Sequence, residues 1–231
     1  MRFRVFSVVL SLALVIGVSL AVGSAGSARP ISPFAKGTAA AAPASAPDAL
    51  VTLYDNSTND SGIGITSQSA LDTMGADDFD VPAGHVWVVK EVTAYGVYYN
   101  GSGADSEHVS FYTQKKKLPN AVKKDYPALA GADNGGSFQI TLPTTVRLSG
   151  GPAAGSRKHY YVSVQANMDF GFGQWDWETS TNTSGYPDAA WQNPGGGSGT
   201  GCTSWEKLHV CLPYGEGPSF MFTLKGKDIV P

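Results

Sequence analysis

From Leu50 onward the chain nowhere sustains a 3.6-residue apolar period. Instead, short runs rich in Val, Thr and aromatic residues alternate with clusters of Gly, Pro, Asn and Asp. β-Branched and aromatic side chains suit a pleated, half-buried surface, whereas an amphipathic helix needs apolar residues three and four apart. The runs 50–54, 86–95, 107–113, 137–142, 145–149, 159–165, 205–212 and 219–224 read as strands. Gly96 reads as a bend or bulge at the end of the second run. Short helices are conceivable only at 67–74 and 120–130. Strands at short intervals with turn-rich connections predict an all-β chain, a jelly-roll-like β-sandwich.

The N-terminus has a different character. Arg2 and Arg4 precede an apolar stretch from Val5 to Val22, followed by the small residues 23–28. Basic start, apolar middle and small-residue exit form the secretory pattern, with cleavage after Ala25 or Ala28. An uncleaved anchor is the competing reading, because the apolar stretch approaches bilayer length. The sequence therefore divides into a signal peptide at 1–28, a flexible Ser-, Ala- and Pro-rich lead-in at 29–49, and a β-sandwich domain at 50–231. Loss of the two arginines moves the net charge from −3 to −5. The expected setting is extracellular or the cell envelope, with no membrane insertion of the mature chain.

Several function classes are disfavoured. At 15% charged and 11% aromatic residues the chain is not compositionally disordered. Its acidic balance argues against nucleic acid as a partner. No Gly-x-Ser-x-Gly or His-Glu-x-x-His motif occurs, and the glycine run 195–201 ends in Cys202 rather than in a phosphate-binding Gly-Lys-Ser/Thr. His85, His108, His159 and His209 read as isolated strand residues. The expectation is a chain that is not an enzyme and needs no cofactor. A polysaccharide hydrolase with a carboxylate pair stays open, because its two acids need no local motif. Asp77 and Asp176 are the acids to test.

Cys202 and Cys211 are the only cysteines, and in an oxidising compartment they predict a disulfide clamping a loop or hairpin. Asp77, Asp78 and Asp80, with Asp72 nearby, offer oxygen ligands for calcium, although their spacing is not that of an EF-hand loop. Their alternative role is turn and side-chain-to-backbone hydrogen bonding at a strand entry. Lys115, Lys116, Lys117, Lys123 and Lys124 form a basic cluster, read as a solvated loop that protects a sheet edge or meets an acidic polymer. Asn-x-Ser/Thr sequons occur at Asn56, Asn59, Asn100 and Asn182.

The aromatic segment from Phe170 to Trp205 carries the main functional expectation. Phe172, Trp175, Trp177, Tyr186, Trp191 and Trp205 lie among amides, carboxylates and hydroxyls. In an extended backbone Trp175 and Trp177 point to the same side. Such rings could stack on sugar faces while Gln174, Asp176, Gln192 or Asn193 bond the hydroxyls. The alternative is a long loop burying its own tryptophans, each indole N–H bonded to a carbonyl.

Three segments carry a resemblance: 76–87, 165–177 and 190–197, which include Ala76-Asp77-Asp78-Phe79-Asp80-Val81-Pro82-Ala83-Gly84, Gln174-Trp175-Asp176-Trp177 and Trp191-Gln192-Asn193-Pro194. They resemble segments of uncharacterised bacterial exported β-sandwich proteins and accessory modules of larger secreted proteins. The resemblance implies a jelly-roll-like module in an envelope or extracellular setting and transfers no catalytic residue. The expected function is a non-catalytic binding or adhesion module for an extracellular glycan or envelope protein, through Trp175, Asp176, Trp177, Trp191, Gln192 and Asn193. A structural envelope protein without a specific small ligand is the alternative.

Overall fold

The computed structural model describes residues 49–101, 103–182, 188–213 and 217–230. The signal peptide read at 1–28, the lead-in to residue 48 and Tyr186 lie outside the described residues.

Among these residues the strands are β1 (Val51–Asp55), β2 (Asp60–Thr66), β3 (Met74–Pro82), β4 (Val86–Ala94), β5 (Gly96–Tyr99), β6 (Ser106–Lys115), β7 (Leu118–Leu129) and β8 (Ala132–Asn134). They continue as β9 (Ser137–Ser149), β10 (Arg157–Asn167), β11 (Gln174–Ser180), β12 (Ala190–Gln192), β13 (Glu206–Lys207), β14 (Ser219–Phe220) and β15 (Phe222–Ile229). Among the described residues helix is confined to one turn, α1 (Leu208–Cys211), and to 3-10 turns at Ser69–Leu71 and Phe170–Phe172. None is long and apolar enough to cross a membrane.

The first sheet has the order β1-β15-β4-β9-β8 and the second β13-β12-β3-β10-β6-β7. Consecutive strands mostly change sheets, which gives the jelly-roll-like winding. The two sheets face each other across one apolar core. Phe79 of β3 stacks on Trp87 of β4 at 6.1 Å between centroids and meets Phe222 of β15 edge-on at 6.4 Å. Val89, Val92, Ile140 and Leu148 of the first sheet, with Phe111, Val162 and Val164 of the second, complete this layer. The fold is an all-β sandwich with one disulfide, Cys202–Cys211.

A third, smaller sheet centres on β11, which pairs β2 along one edge and both β5 and β14 along the other. It is joined to the first sheet at a corner. β4 runs on into β5 across Tyr95, and β14 into β15 across Met221. Tyr95 N–H donates to Met221 O at 3.1 Å, and Met221 N–H to Glu178 O at 2.9 Å, so the corner keeps its backbone groups paired. Strands that bend between sheets form such corners in sandwiches. Gly96 sits at this bend because a Cβ there would lie 2.6 Å from three atoms of the Trp175 indole.

Pro143 explains why two predicted strands are one. Residues 137–149 form a single strand, but the β4–β9 register jumps from Val89↔Val146 to Glu91↔Thr141. Proline has no N–H for the ladder, and a bulge accommodates it. Lys90 Nζ donates to Leu142 O at 2.5 Å inside that interruption.

Two other expectations are corrected. Of residues 120–130, considered for a helix, all but Ala130 are part of β7, the edge strand hairpinned to β6. Residues 205–212, read as one strand, divide into β13 and α1, and the disulfide from Cys211 closes that turn onto Cys202. The segment read as a long aromatic loop contains β11 and β12.

Candidate functional site

Alternation along β11 sorts its side chains. Trp175 and Trp177 share one face, as expected for an extended chain, and that face is the core. Both are 0% exposed, and Trp191 is 2% exposed. Trp175 Nε1–H donates to Gly136 O at 2.7 Å, Trp177 Nε1–H to Met221 O at 2.8 Å, and Trp191 Nε1–H to Thr66 O at 3.0 Å. Trp177 stacks on Phe220 at 4.5 Å, and Trp175 packs on Phe138 at 4.9 Å. The ring-stacking role expected of Trp175, Trp177 and Trp191 is therefore overturned: their faces are occupied by protein.

The other face of β11 carries Gln174 and Asp176. The β2–β11 register sets Asp176 opposite Thr66. Asp176 Oδ1 accepts from Thr66 Oγ1 at 2.8 Å and from Gln174 Nε2 at 2.7 Å. Gln174 Nε2 also donates to Thr66 Oγ1 at 2.7 Å. These three side chains line an open cleft of about 340 Å³. Leu71, Leu212, Ile65 and the edge of Trp191 supply its apolar wall, and Thr73, Ser198 and Thr200 add hydroxyl-bearing positions. No described residue donates to Asp176 Oδ2 or to Gln174 Oε1. The cleft thus offers spare acceptors to a donor-rich ligand.

A second hollow of about 270 Å³ adjoins it through Gln174, with Tyr99, Asn100 and Phe170 in its lining. Here the aromatic rings do face solvent. Tyr99 is 50% exposed, Phe170 60% and Phe172 65%. Asp169 holds this tip in place by accepting from Gly171 N–H at 2.7 Å, and Gly173 continues it at φ +110°, a conformation open to glycine. Alternation in the sequence was enough to place Gln174 beside Asp176. Recognition of Tyr99 required the β5–β11 register, Gln174↔Tyr99.

Of the remaining predicted ligand residues, Asn193 is structural. Its Nδ2 donates to Leu71 O and Asp72 O, both at 2.9 Å, and its Oδ1 accepts from Ser198 N–H at 2.7 Å. It ties the glycine run to the 3-10 turn. Gln192 is half-buried, with Nε2 3.3 Å from Met74 Sδ. Neither lines the cleft.

The acidic run does not converge on an ion. Because side chains alternate along β3, Asp77 points into the sandwich while Asp78 and Asp80 point to the opposite face. Asp77 accepts from Phe220 N–H at 2.7 Å and Asp78 N–H at 2.9 Å, Asp78 meets His159 Nδ1 at 3.0 Å, and Asp80 is bonded by Arg157. Asp72 accepts from Gly195 N–H. Among the described residues no group of three or more His, Cys, Asp or Glu could hold a metal ion. The oxygens of Asp77, Asp78 and Asp80 considered for calcium instead make backbone and ion-pair contacts, in line with the side-chain-to-backbone role read as the alternative. Nor does Asp77 share the cleft with Asp176, so this acid pair does not meet.

Burial, and then the charge of Asp78, push the Asp77 carboxyl well above its ordinary range. A raised folded-state value means the folded protein holds this proton more tightly than the unfolded chain. Its contribution is complete below the unfolded carboxylate pKa and is lost as pH rises toward the folded value. The slope is at most about 1.4 kcal/mol per pH unit for one proton. Asp77→Asn should flatten this part of the profile. Thermal melts from pH 4 to 8 check it, and parallel curves for the two proteins would contradict it.

The four histidines are not isolated. Each meets an aspartate: His85–Asp228 at 2.8 Å, His108–Asp125 at 2.7 Å, His159–Asp78 at 3.0 Å, and His209–Asp188. Ser110 joins the second pair, but its Oγ and Asp125 Oδ1 approach the same nitrogen, His108 Nε2, at 3.2 and 2.7 Å. A catalytic triad places nucleophile and acid on opposite ring nitrogens. Three of the sequon asparagines also form an internal relay. Asn59 Nδ2 donates to Asn182 Oδ1, Asn182 Nδ2 to Asn56 Oδ1, and Asn56 Nδ2 to Phe220 O.

Comparison of this chain with protein-family models, with curated proteins and with solved structures finds no match in any of the three.

Proposed function

We propose that the chain is an exported, non-catalytic binding module for an extracellular glycan, held across the two hollows that meet at Gln174. The observation that carries this reading is their complementarity. One hollow presents the spare acceptors of Asp176 and Gln174 beside leucine side chains, and the other presents exposed Tyr99 and Phe170 rings. Sugar hydroxyls donate to such acceptors, and the apolar faces of the rings pack on aromatics and leucines. The cleft volume lies at the lower end of the range for small-ligand sites. Among the residues lining the cleft, Asp176 is the one carboxylate, whereas glycoside hydrolysis ordinarily uses two. That supports binding over turnover. The secretory pattern at 1–28 and the disulfide support the extracellular setting.

Titration of the protein with a panel of neutral oligosaccharides, followed by calorimetry with and without calcium, tests the reading. Saturable binding is expected. Asp176→Asn should weaken it roughly 10- to 100-fold, the scale of a hydrogen bond to a charged group. Phe170→Ala should weaken it less, and both variants should keep the wild-type Tm. Silence across the panel would sink the glycan reading. The burial of Trp175, Trp177 and Trp191 favours a second reading, a structural envelope protein. In that case crosslinking in the native host should recover envelope neighbours, and a partnerless monomer would count against it.

A further inference from the structure

The β6–β7 hairpin carries a backbone conformation that its sequence does not favour. Lys116 and Lys117 form its two-residue turn with φ of +54° and +63°. Positive φ at both positions is the type I′ pattern, which Asn-Gly satisfies without the steric cost a lysine Cβ incurs. The turn is nevertheless held firmly. Tyr161 Oη donates to Lys117 O at 2.8 Å. With its amide oxygen turned toward the hairpin, Gln114 accepts from Lys117 N–H at 2.5 Å and Lys116 N–H at 3.1 Å. The lysine side chains are exposed, as the solvated run read from the sequence implies, while the backbone beneath them is anchored in a tight hairpin turn.

The same end of the sheet gathers further cations. Lys115 precedes the turn, and Lys123 lies on the returning strand. The β6–β10 register, Tyr160↔Thr113, brings Lys158 toward the same end. Lys123 and Lys158 lie 6.0 and 5.5 Å from the centroid of the Tyr160 ring. Among the described residues no carboxylate lies within ion-pair distance of Lys115, Lys116, Lys123 or Lys158. A chain of net charge −3 thus gathers Lys115, Lys116 and Lys123 of the β6–β7 hairpin and Lys158 of the neighbouring β10 at one end of the sheet, none of them in an ion pair among the described residues.

We infer that this hairpin tip is a docking site for an anionic polysaccharide, a polymer bearing carboxylate, sulfate or phosphodiester groups. Residues held at positive φ where glycine or asparagine would fit without cost point to a function for their side chains. Repeated anionic groups on a flexible chain match lysines spread along a hairpin, each acting as a point charge. A membrane would need apolar anchors at the tip, and Val122 is the sole large exposed hydrophobic residue on the hairpin. A single-stranded nucleic acid would need exposed rings for its bases, but Tyr160 beneath Lys123 and Lys158 is buried. This site is separate from the Asp176 cleft and takes charged rather than neutral polymers.

The test is binding of the full protein to dextran sulfate and to polygalacturonate, with neutral dextran, 3:1 phosphatidylcholine–phosphatidylglycerol vesicles and single-stranded DNA alongside. Saturable binding to the two polyanionic glycans is expected, weakening at least about tenfold between 50 and 200 mM salt as screening increases. Replacing the turn by its preferred sequence, Lys116→Asn with Lys117→Gly, should weaken binding at least tenfold while raising Tm by about 2–4 °C. Lys207→Gln with Lys225→Gln, an equal loss of charge elsewhere, should leave binding within about twofold. Unchanged binding by the turn variant, salt-independent binding, or tighter binding to vesicles or DNA would each overturn the inference.

Discussion

Replacing Trp177 by alanine should destabilise the protein by about 3–5 kcal/mol, the range for removing a buried large aromatic. For a domain of this size that corresponds to a Tm lower by roughly 6–20 °C. The reason is position as well as area. Trp177 is stacked on Phe220, lies edge-on to Phe222 and donates to Met221 O, so it touches the segment on both sides of the sheet-switching bend. Its ring also lies 3.3 Å from where a Cβ would sit on Gly75, so β3 depends on it too. Trp177→Phe should cost less, because it keeps most of the packing and loses the N–H donor. Differential scanning calorimetry of the three proteins decides the matter. A Tm for the alanine variant within 2 °C of wild type would mean that the indole is not a core element.

The second large effect is expected from the disulfide. Cys202→Ser with Cys211→Ser should cost about 3 kcal/mol by the loop-closure relation, given the nine-residue separation of the two cysteines. Tm should fall by roughly 6–12 °C. A functional loss should accompany it. Asn193 N–H donates to Cys202 O at 2.7 Å, and Thr200 and Leu212, just outside the bridged segment, line the Asp176 cleft. Opening the bridge frees one wall of that cleft. Ligand affinity should therefore fall even at temperatures where the variant stays folded. A destabilised variant with undiminished affinity would separate the staple from the site.

The class of fold was legible because β-branched and aromatic composition acts locally, as in His159–Val164, where every residue became part of β10. What stayed hidden depended on distant partners. β2 was missed because Asp60-Ser61-Gly62-Ile63-Gly64-Ile65-Thr66 is poor in strand formers. Gly64 is nevertheless required there, since a Cβ would lie 2.7 Å from Asp176 Cβ. The shared side of Trp175 and Trp177 followed from alternation, but which side is core is decided by Phe138, Phe220 and Phe222, from other strands. Likewise, adjacent aspartates in sequence suggested one metal site, and strand alternation sends them to opposite faces. The exposed rings went unassigned because Phe170 and Phe172 look no different in sequence from the buried tryptophans beside them.

The place of β15 bears on how the molecule comes to be folded at all. This last strand lies between β1 and β4, in the interior of the first sheet. Sequence-adjacent pairing is limited to a few hairpins, such as β6–β7 and β8–β9, and most ladders join residues far apart in the chain. Loop-closure entropy must be met before such contacts form, so folding is expected on the millisecond-to-second scale of topologically complex β proteins. A nascent chain lacking residues 222–229 leaves β1 and β4 without the strand that separates them. The first sheet is therefore complete only once residues 222–229 fill the place between β1 and β4.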